Sequence, residues 1–186
     1  MTTNLTRNSG LTLIELLITV AIVGVLIASA TPSMTEFIQN NRAVTQVNEL
    51  HTSLSLARNE AIKRNSNITV CRSSNGTTCS GAWQNGWIVF VDNNFDGSVD
   101  DGDQVLSVHG NLTGNNTLAF SQTRVIYANS GLAIADSNGT FILCDARGTE
   151  KSIGVVVGPS GRPRIATSSD VSGFLENEDN AGMACS

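Results

Sequence analysis

GLTLIELLITVAIVGVLIASATP, residues 10 to 32, carries a single charged side chain, Glu15. Residues 11 to 30 supply twenty positions, and at about 1.5 Å rise each a helix of that length reaches about 30 Å, the thickness of a hydrocarbon core. A secretory signal would place a small-residue cleavage site after a shorter apolar core. Here the glycine precedes the apolar run, so the segment is expected to stay with the protein. A carboxylate inside a membrane helix costs about 3 kcal/mol and calls for a partner. Glu15 either finds one or snorkels to the headgroups near the helix start.

Outward from this stretch, the polar residues 1 to 9, Gly10 and the glutamate five positions on resemble the processing site of the type IV pilin superfamily. The resemblance implies cleavage between Gly10 and Leu11 by a prepilin peptidase, with methylation. It also implies that Glu15 pairs with the free amine of a neighbouring subunit's Leu11 during assembly. The family's usual first mature residue is phenylalanine, and this chain has leucine. Pro32 falls where pilin helices often carry a kinking proline. The implied partners are other pilin subunits, the peptidase and the inner membrane. The chain would cross that membrane once with its head in the periplasm, and enter a pilus or pseudopilus on assembly.

The 186 residues leave room for one further globular domain of roughly 120 residues, enough for a core. The formal charge is −5, and loss of Arg7 with residues 1 to 10 leaves 10 basic against 16 acidic side chains, or −6. A net acidic surface argues against strong nonspecific binding of polyanions, although a local patch can overrule the total. Cys71, Cys79, Cys144 and Cys185 all follow the apolar run. If Arg7 and the amino terminus stay in the cytoplasm, the cysteines face an oxidising compartment and form disulfides. Three pairings are possible; we favour Cys71 with Cys79 and Cys144 with Cys185. A zinc site is the rival, but CxxC spacing is absent and His51 and His109 stand isolated in sequence.

Beyond Pro32, Phe37, Val44, Val47, Leu50, Leu54, Ala57 and Ala61 recur at helical spacing, with Gln46, Glu49, Ser53 and Glu60 on other faces. This amphipathic helix should end at Asn65, Ser66 and Asn67, which favour a turn. Short apolar runs then alternate with Gly, Asn, Asp and Ser. They predict strands over 68–71, 87–91, 105–108, 117–120, 124–127, 140–144, 152–157 and 162–166. The expected fold is α+β: a long N-terminal helix, half membrane-spanning and half amphipathic, packed on an antiparallel β-sheet head. The segments would be a leader (1–10), a transmembrane helix (11–32), an amphipathic periplasmic helix (33–65) and the head (66–186).

ARNEAIKRNSNITVC and GAWQNGWIVFVDNNFDGSVDDGDQVL resemble the GspH/FimT branch of the superfamily. This branch takes in the FimT and FimU minor pilins and the secretion pseudopilin GspH. Asp92, Asn94, Asp96, Gly97 and Asp103 follow the spacing of an EF-hand loop, with Asp at the closing position. The flanks read as strands where an EF-hand has helices. An acidic hairpin turn therefore accounts for the loop better than calcium, and no metal or other cofactor is expected.

GPSGRPRIA, residues 158 to 166, holds two arginines at period two, so Arg162 and Arg164 face one surface of an extended backbone. The planar guanidinium fork suits phosphate oxygens. The string also resembles the Gly-Arg-x-Arg element that FimT-type pilins use to bind DNA, which implies a DNA role for Gly161, Arg162 and Arg164. The competing reading is a hairpin whose arginines pair with Asp145, Glu150 or the acidic tail, while Arg147 and Lys151 could extend the patch. An enzyme is not expected, because no nucleophile motif accompanies either histidine. The reading is a minor pilin that contributes DNA binding and uptake. The alternatives are a purely structural tip or priming subunit, or a GspH-type pseudopilin of a type II secretion system.

Overall fold

The computed structural model describes residues 12 to 134, 136 to 167 and 185, with the side chains of 28 to 32 and 167 left aside. One α-helix, α1, runs Leu13–Arg64. Thr12 caps it: its carbonyl accepts from the Leu16 amide at 3.2 Å, and its hydroxyl accepts from the Glu15 amide at 3.3 Å. The helix passes through position 32 without ending, so the two helical segments predicted around Pro32 form one element. It stops where Asn65 turns left-handed at φ 53°, a conformation asparagine tolerates better than most residues. Lys63 and Arg64 in the last turn pair with Glu60.

The chain divides into two units, Met1–Ile38 and Gln39–Ser186. In the first, every described side chain from 12 to 27 is exposed, including Leu13, Ile14, Leu16, Leu17, Ile18 and Val20.

The described residues of the second unit form eight strands: β1 (Ile68–Arg72), β2 (Trp87–Val91), β3 (Gln104–His109), β4 (Thr117–Ala119), β5 (Arg124–Tyr127), β6 (Gly139–Cys144), β7 (Ile153–Val157) and β8 (Pro163–Thr167). Each predicted strand is present, within a residue or so at its ends. The head is not one sheet, however. It has two four-stranded antiparallel sheets, ordered β3-β2-β1-β5 and β4-β6-β7-β8. Alternation along a strand tells which residues share a face, but it does not choose the neighbouring strand.

Ala43, Val47, Leu50, Leu54, Ala57 and Ala61 of α1 are buried in one cluster with the inward faces of both sheets. From the first sheet come Val70, Trp87, Val89, Val125 and Tyr127; from the second come Leu118, Phe141, Leu143, Val155 and Val157. Full burial of a leucine such as Leu50 or Leu54 stabilises by about 1.5 to 3 kcal/mol. The predicted helix stripe needs correction at its N-terminal end. Phe37 and Val44 are exposed, Ala43 takes the core position, and Gln46 and Ser53 are buried. Gln46 is satisfied there, accepting from the Asn116 amide at 2.7 Å and donating to the Thr113 carbonyl at 3.0 Å.

Two disulfides fasten the margins. Cys71 joins Cys79 on the outer face of the first sheet, beside Ile88, Phe90 and Val99. Cys144, the last residue of β6, joins Cys185.

Candidate functional site

The GPSG turn forms because Gly161 donates its amide to the Gly158 carbonyl at 2.9 Å, which reverses the chain between β7 and β8. Pairing then follows the register Val157 with Pro163, Val156 with Arg164, Val155 with Ile165 and Gly154 with Ala166. Val155 and Val157 enter the core, so Val156 and Arg164 belong to the opposite face. Ala166 anchors that outer face by packing on Ile142 and Val156. Arg162 and Arg164 are both exposed and border one groove of about 500 Å³, together with Asn138, Thr140, Val156 and Ser160. Both arginines thus border one concave surface.

Of the partners that the hairpin-pairing alternative offers these arginines, Asp145 is engaged elsewhere. Asp145 is taken by Arg147, whose Nη2 lies 2.6 Å and Nε 3.0 Å from Oδ2 and whose amide donates to Oδ1 at 2.9 Å. Burial alone would push the Asp145 carboxyl up. The hydrogen bonds and charge of Arg147 outweigh it and hold the group below the usual carboxylate range. Arg147 is thereby neutralised by Asp145 and adds little to a basic patch. Arg162 has no carboxylate partner among the described residues.

Four carboxylates of the loop from Asp92 to Asp103 accept hydrogen bonds from nearby backbone and side-chain donors. Buried Asp92 accepts through Oδ2 from the Thr69 hydroxyl at 2.8 Å and the Gly97 amide at 3.0 Å, while its Oδ1 is buried without a partner. Asp103 accepts from the Asn93 amide at 3.1 Å and the Asp100 amide at 3.1 Å. Asn94 donates to Asp96 at 3.0 Å and Asp100 at 2.9 Å. The hydrogen bond from the Ser98 amide is the chief cause holding the Asp96 carboxyl below its ordinary value. Arg124 closes the loop by donating to the Gly97 carbonyl at 3.1 Å. Among the described residues, no group of three or more His, Cys, Asp or Glu side chains is placed to hold a metal ion.

His109 ends strand β3, where its Nε2 meets Glu49 and its ring stacks on Trp87. Sixty residues separate it from Glu49, so nothing local could reveal the pair.

At the other end of the chain, Glu15 lies exposed in the first turn of α1. Gly10 and Leu11 lie outside the described residues. Among the described residues, no helix is long and apolar enough to cross a membrane.

An apolar N-terminal helical run, continued by a helix whose buried stripe shares its core with an antiparallel two-sheet head, defines the pilin-like class. Residues 46–161 match the family of type II transport protein GspH, and the chain belongs to that family. Residues 5–31 match the prokaryotic N-terminal methylation motif. The pilin-like protein PilA1 of Thermus thermophilus is 29% identical over 164 residues, covering 84% of this chain and 97% of that one. The minor pilin FimU of Pseudomonas aeruginosa superposes with a TM-score of 0.58 at 20% identity, over 72% of this chain and 94% of its own. A second crystal form of FimU gives 0.53 at 19% identity, over 67% and 93%. These likenesses establish the pilin fold.

Proposed function

We propose that this chain is a minor pilin, stored in the inner membrane by residues 11 to 30 and carried by its N-terminal helix into a type IV pilus. In this reading residues 1 to 10 are a leader removed by a prepilin peptidase between Gly10 and Leu11. The segment 33 to 65 and the head from 66 onward then lie in the periplasm. The carrying observation is the exposed apolar face of α1 from Leu13 to Ile27, which water does not tolerate and which lipid or neighbouring helices would cover. Glu15 is the one charge in that run, and the free amine of a neighbour's Leu11 is the partner that would offset its burial.

The head's part is DNA contact through Arg162 and Arg164. Two arginines on one groove suit phosphate oxygens, which favours contact with the nucleic-acid backbone. Binding should be weak and insensitive to sequence. Two phosphate contacts give a salt slope of about −2 on duplex DNA, so useful capture needs several subunits acting together. The test is anisotropy of a labelled duplex with the full-length protein in non-ionic detergent. Arg162→Gln with Arg164→Gln should abolish binding and lower transformation while pilus number stays the same. Equal binding by the double variant, or none by the unsubstituted protein at low salt, would leave the head a structural tip or priming subunit.

A second reading is favoured by the family match to type II transport protein GspH: a pseudopilin of a secretion system. Genes beside this one decide between them, a minor-pilin cluster for the pilus and a secretion operon for the pseudopilin.

A further inference from the structure

We infer that Gly131, backed by Ile62 of α1, is a positioning residue for the Arg162–Arg164 groove. The inference rests on the DNA reading above for its functional sense. Gly131 closes the turn after β5: its amide donates to the Ala128 carbonyl at 2.7 Å, and Ala128 donates to the Leu132 carbonyl at 2.9 Å. That turn abuts the one preceding Arg162. The Ala133 amide donates to the Pro159 carbonyl at 3.2 Å, and a Cβ on Gly161 would stand 2.1 Å from the Gly131 carbonyl oxygen.

Both glycines are buried and both hold left-handed backbones, φ +77° at Gly131 and +71° at Gly161. Only glycine adopts such a conformation freely. A Cβ on Gly131 would meet Ile62 Cδ1 at 2.6 Å and Cγ1 at 2.8 Å. Contact therefore passes from α1 through Gly131 to Gly161, the residue directly before Arg162. Strand pairing alone fixes Arg164, through Val156; Arg162 precedes the strand and depends on the turn. The two turns belong to different sheets, so this contact sets Arg162 against the helix and the first sheet as well as its own strand. Gly161 then serves by close packing, with no side chain to offer a phosphate.

The test compares Gly131→Ala, Ile62→Ala and their combination in the full-length protein in detergent. Binding of a labelled duplex is read by anisotropy, and the Arg162 Nε–H resonance by NMR with arginine labelling. Gly131→Ala should weaken binding several-fold and move the Arg162 resonance. Adding Ile62→Ala, which vacates the space the new methyl needs, should restore the part of both that the clash causes, while the backbone strain at φ +77° remains. In an Arg162→Gln background Gly131→Ala should cost nothing further, a non-additivity that general loosening of the fold would not produce. Gly131→Asn, which tolerates positive φ, serves if the alanine variant fails to fold. A folded Gly131 variant with unchanged affinity and an unmoved Arg162 resonance would overturn the inference, as would a loss simply additive with Arg162→Gln. If the unsubstituted protein does not bind duplex, the DNA reading falls, and the Arg162 resonance alone decides whether Gly131 positions that residue.

Discussion

The Nε2 of His109 lies 2.9 Å from Oε2 of Glu49, tying the end of β3 to α1. The same imidazole stacks flat on the buried Trp87 indole, with centroids 3.8 Å apart and planes 1° from parallel. This contact is partly exposed and should contribute under about 1 kcal/mol. The ring stack adds about 0.5 to 1.5 kcal/mol.

His109→Ala should therefore lower stability by about 1 to 2 kcal/mol. His109→Phe, which keeps a ring over Trp87, should recover most of that, and Glu49→Ala should cost less than His109→Ala. Urea unfolding checks the order. A Glu49→Ala loss equal to that of His109→Ala would mean the contact with Glu49 dominates.

Asp145 and Arg147 set an acid limit. The folded Asp145 carboxyl titrates below its ordinary value of 3.8, so the stability it contributes is present in full above that pH. It is lost as pH falls through the lower folded value. Arg147→Ala leaves the carboxylate with only its amide partner and should cost roughly 1 to 3 kcal/mol at neutral pH. The gap between the two proteins should narrow only below about pH 3.8, where the unfolded carboxyl binds its proton. A gap independent of pH across that window would show that Arg147 acts by packing.

The two disulfides close loops with separations of 8 and 41 residues. Chain entropy assigns them about 2.5 and about 4 kcal/mol. Replacing Cys144 and Cys185 by serine should thus lower the melting temperature more than replacing Cys71 and Cys79 by alanine. The smaller loop still adds apolar cover over Ile88 and Phe90, so equal losses would put its packing ahead of the entropy it removes.

Glu15→Val should make the N-terminal segment easier to insert and yet keep the protein out of filaments, because the neighbour's amine loses its counter-charge in a low-dielectric setting. Fractionation of sheared filaments against membranes separates the two effects. Entry into filaments at wild-type levels would end the pairing idea for this subunit.

Much of this was legible before any coordinates, and for a local reason. The eight strands among the described residues lie in apolar runs bounded by Gly, Asn, Asp and Ser, and Arg164 keeps the strand period while Arg162 owes its place to the preceding turn. What stayed hidden depends on contacts between distant residues. Ala43 is too small to announce a core position, and helical spacing points to the neighbouring Val44 instead. The division into two sheets is a choice of strand neighbours that alternation does not encode. Gly131 lies thirty residues before Gly161, and only its positive φ and its seat beneath Ile62 reveal the connection.

The most direct test is the mass of the N-terminal peptide from this protein recovered in sheared filaments of its own cell. The account predicts a chain that begins at Leu11 and is present in those filaments. A chain that begins at Met1, or one that is found only in the membrane while the other subunits are in filaments, would contradict it.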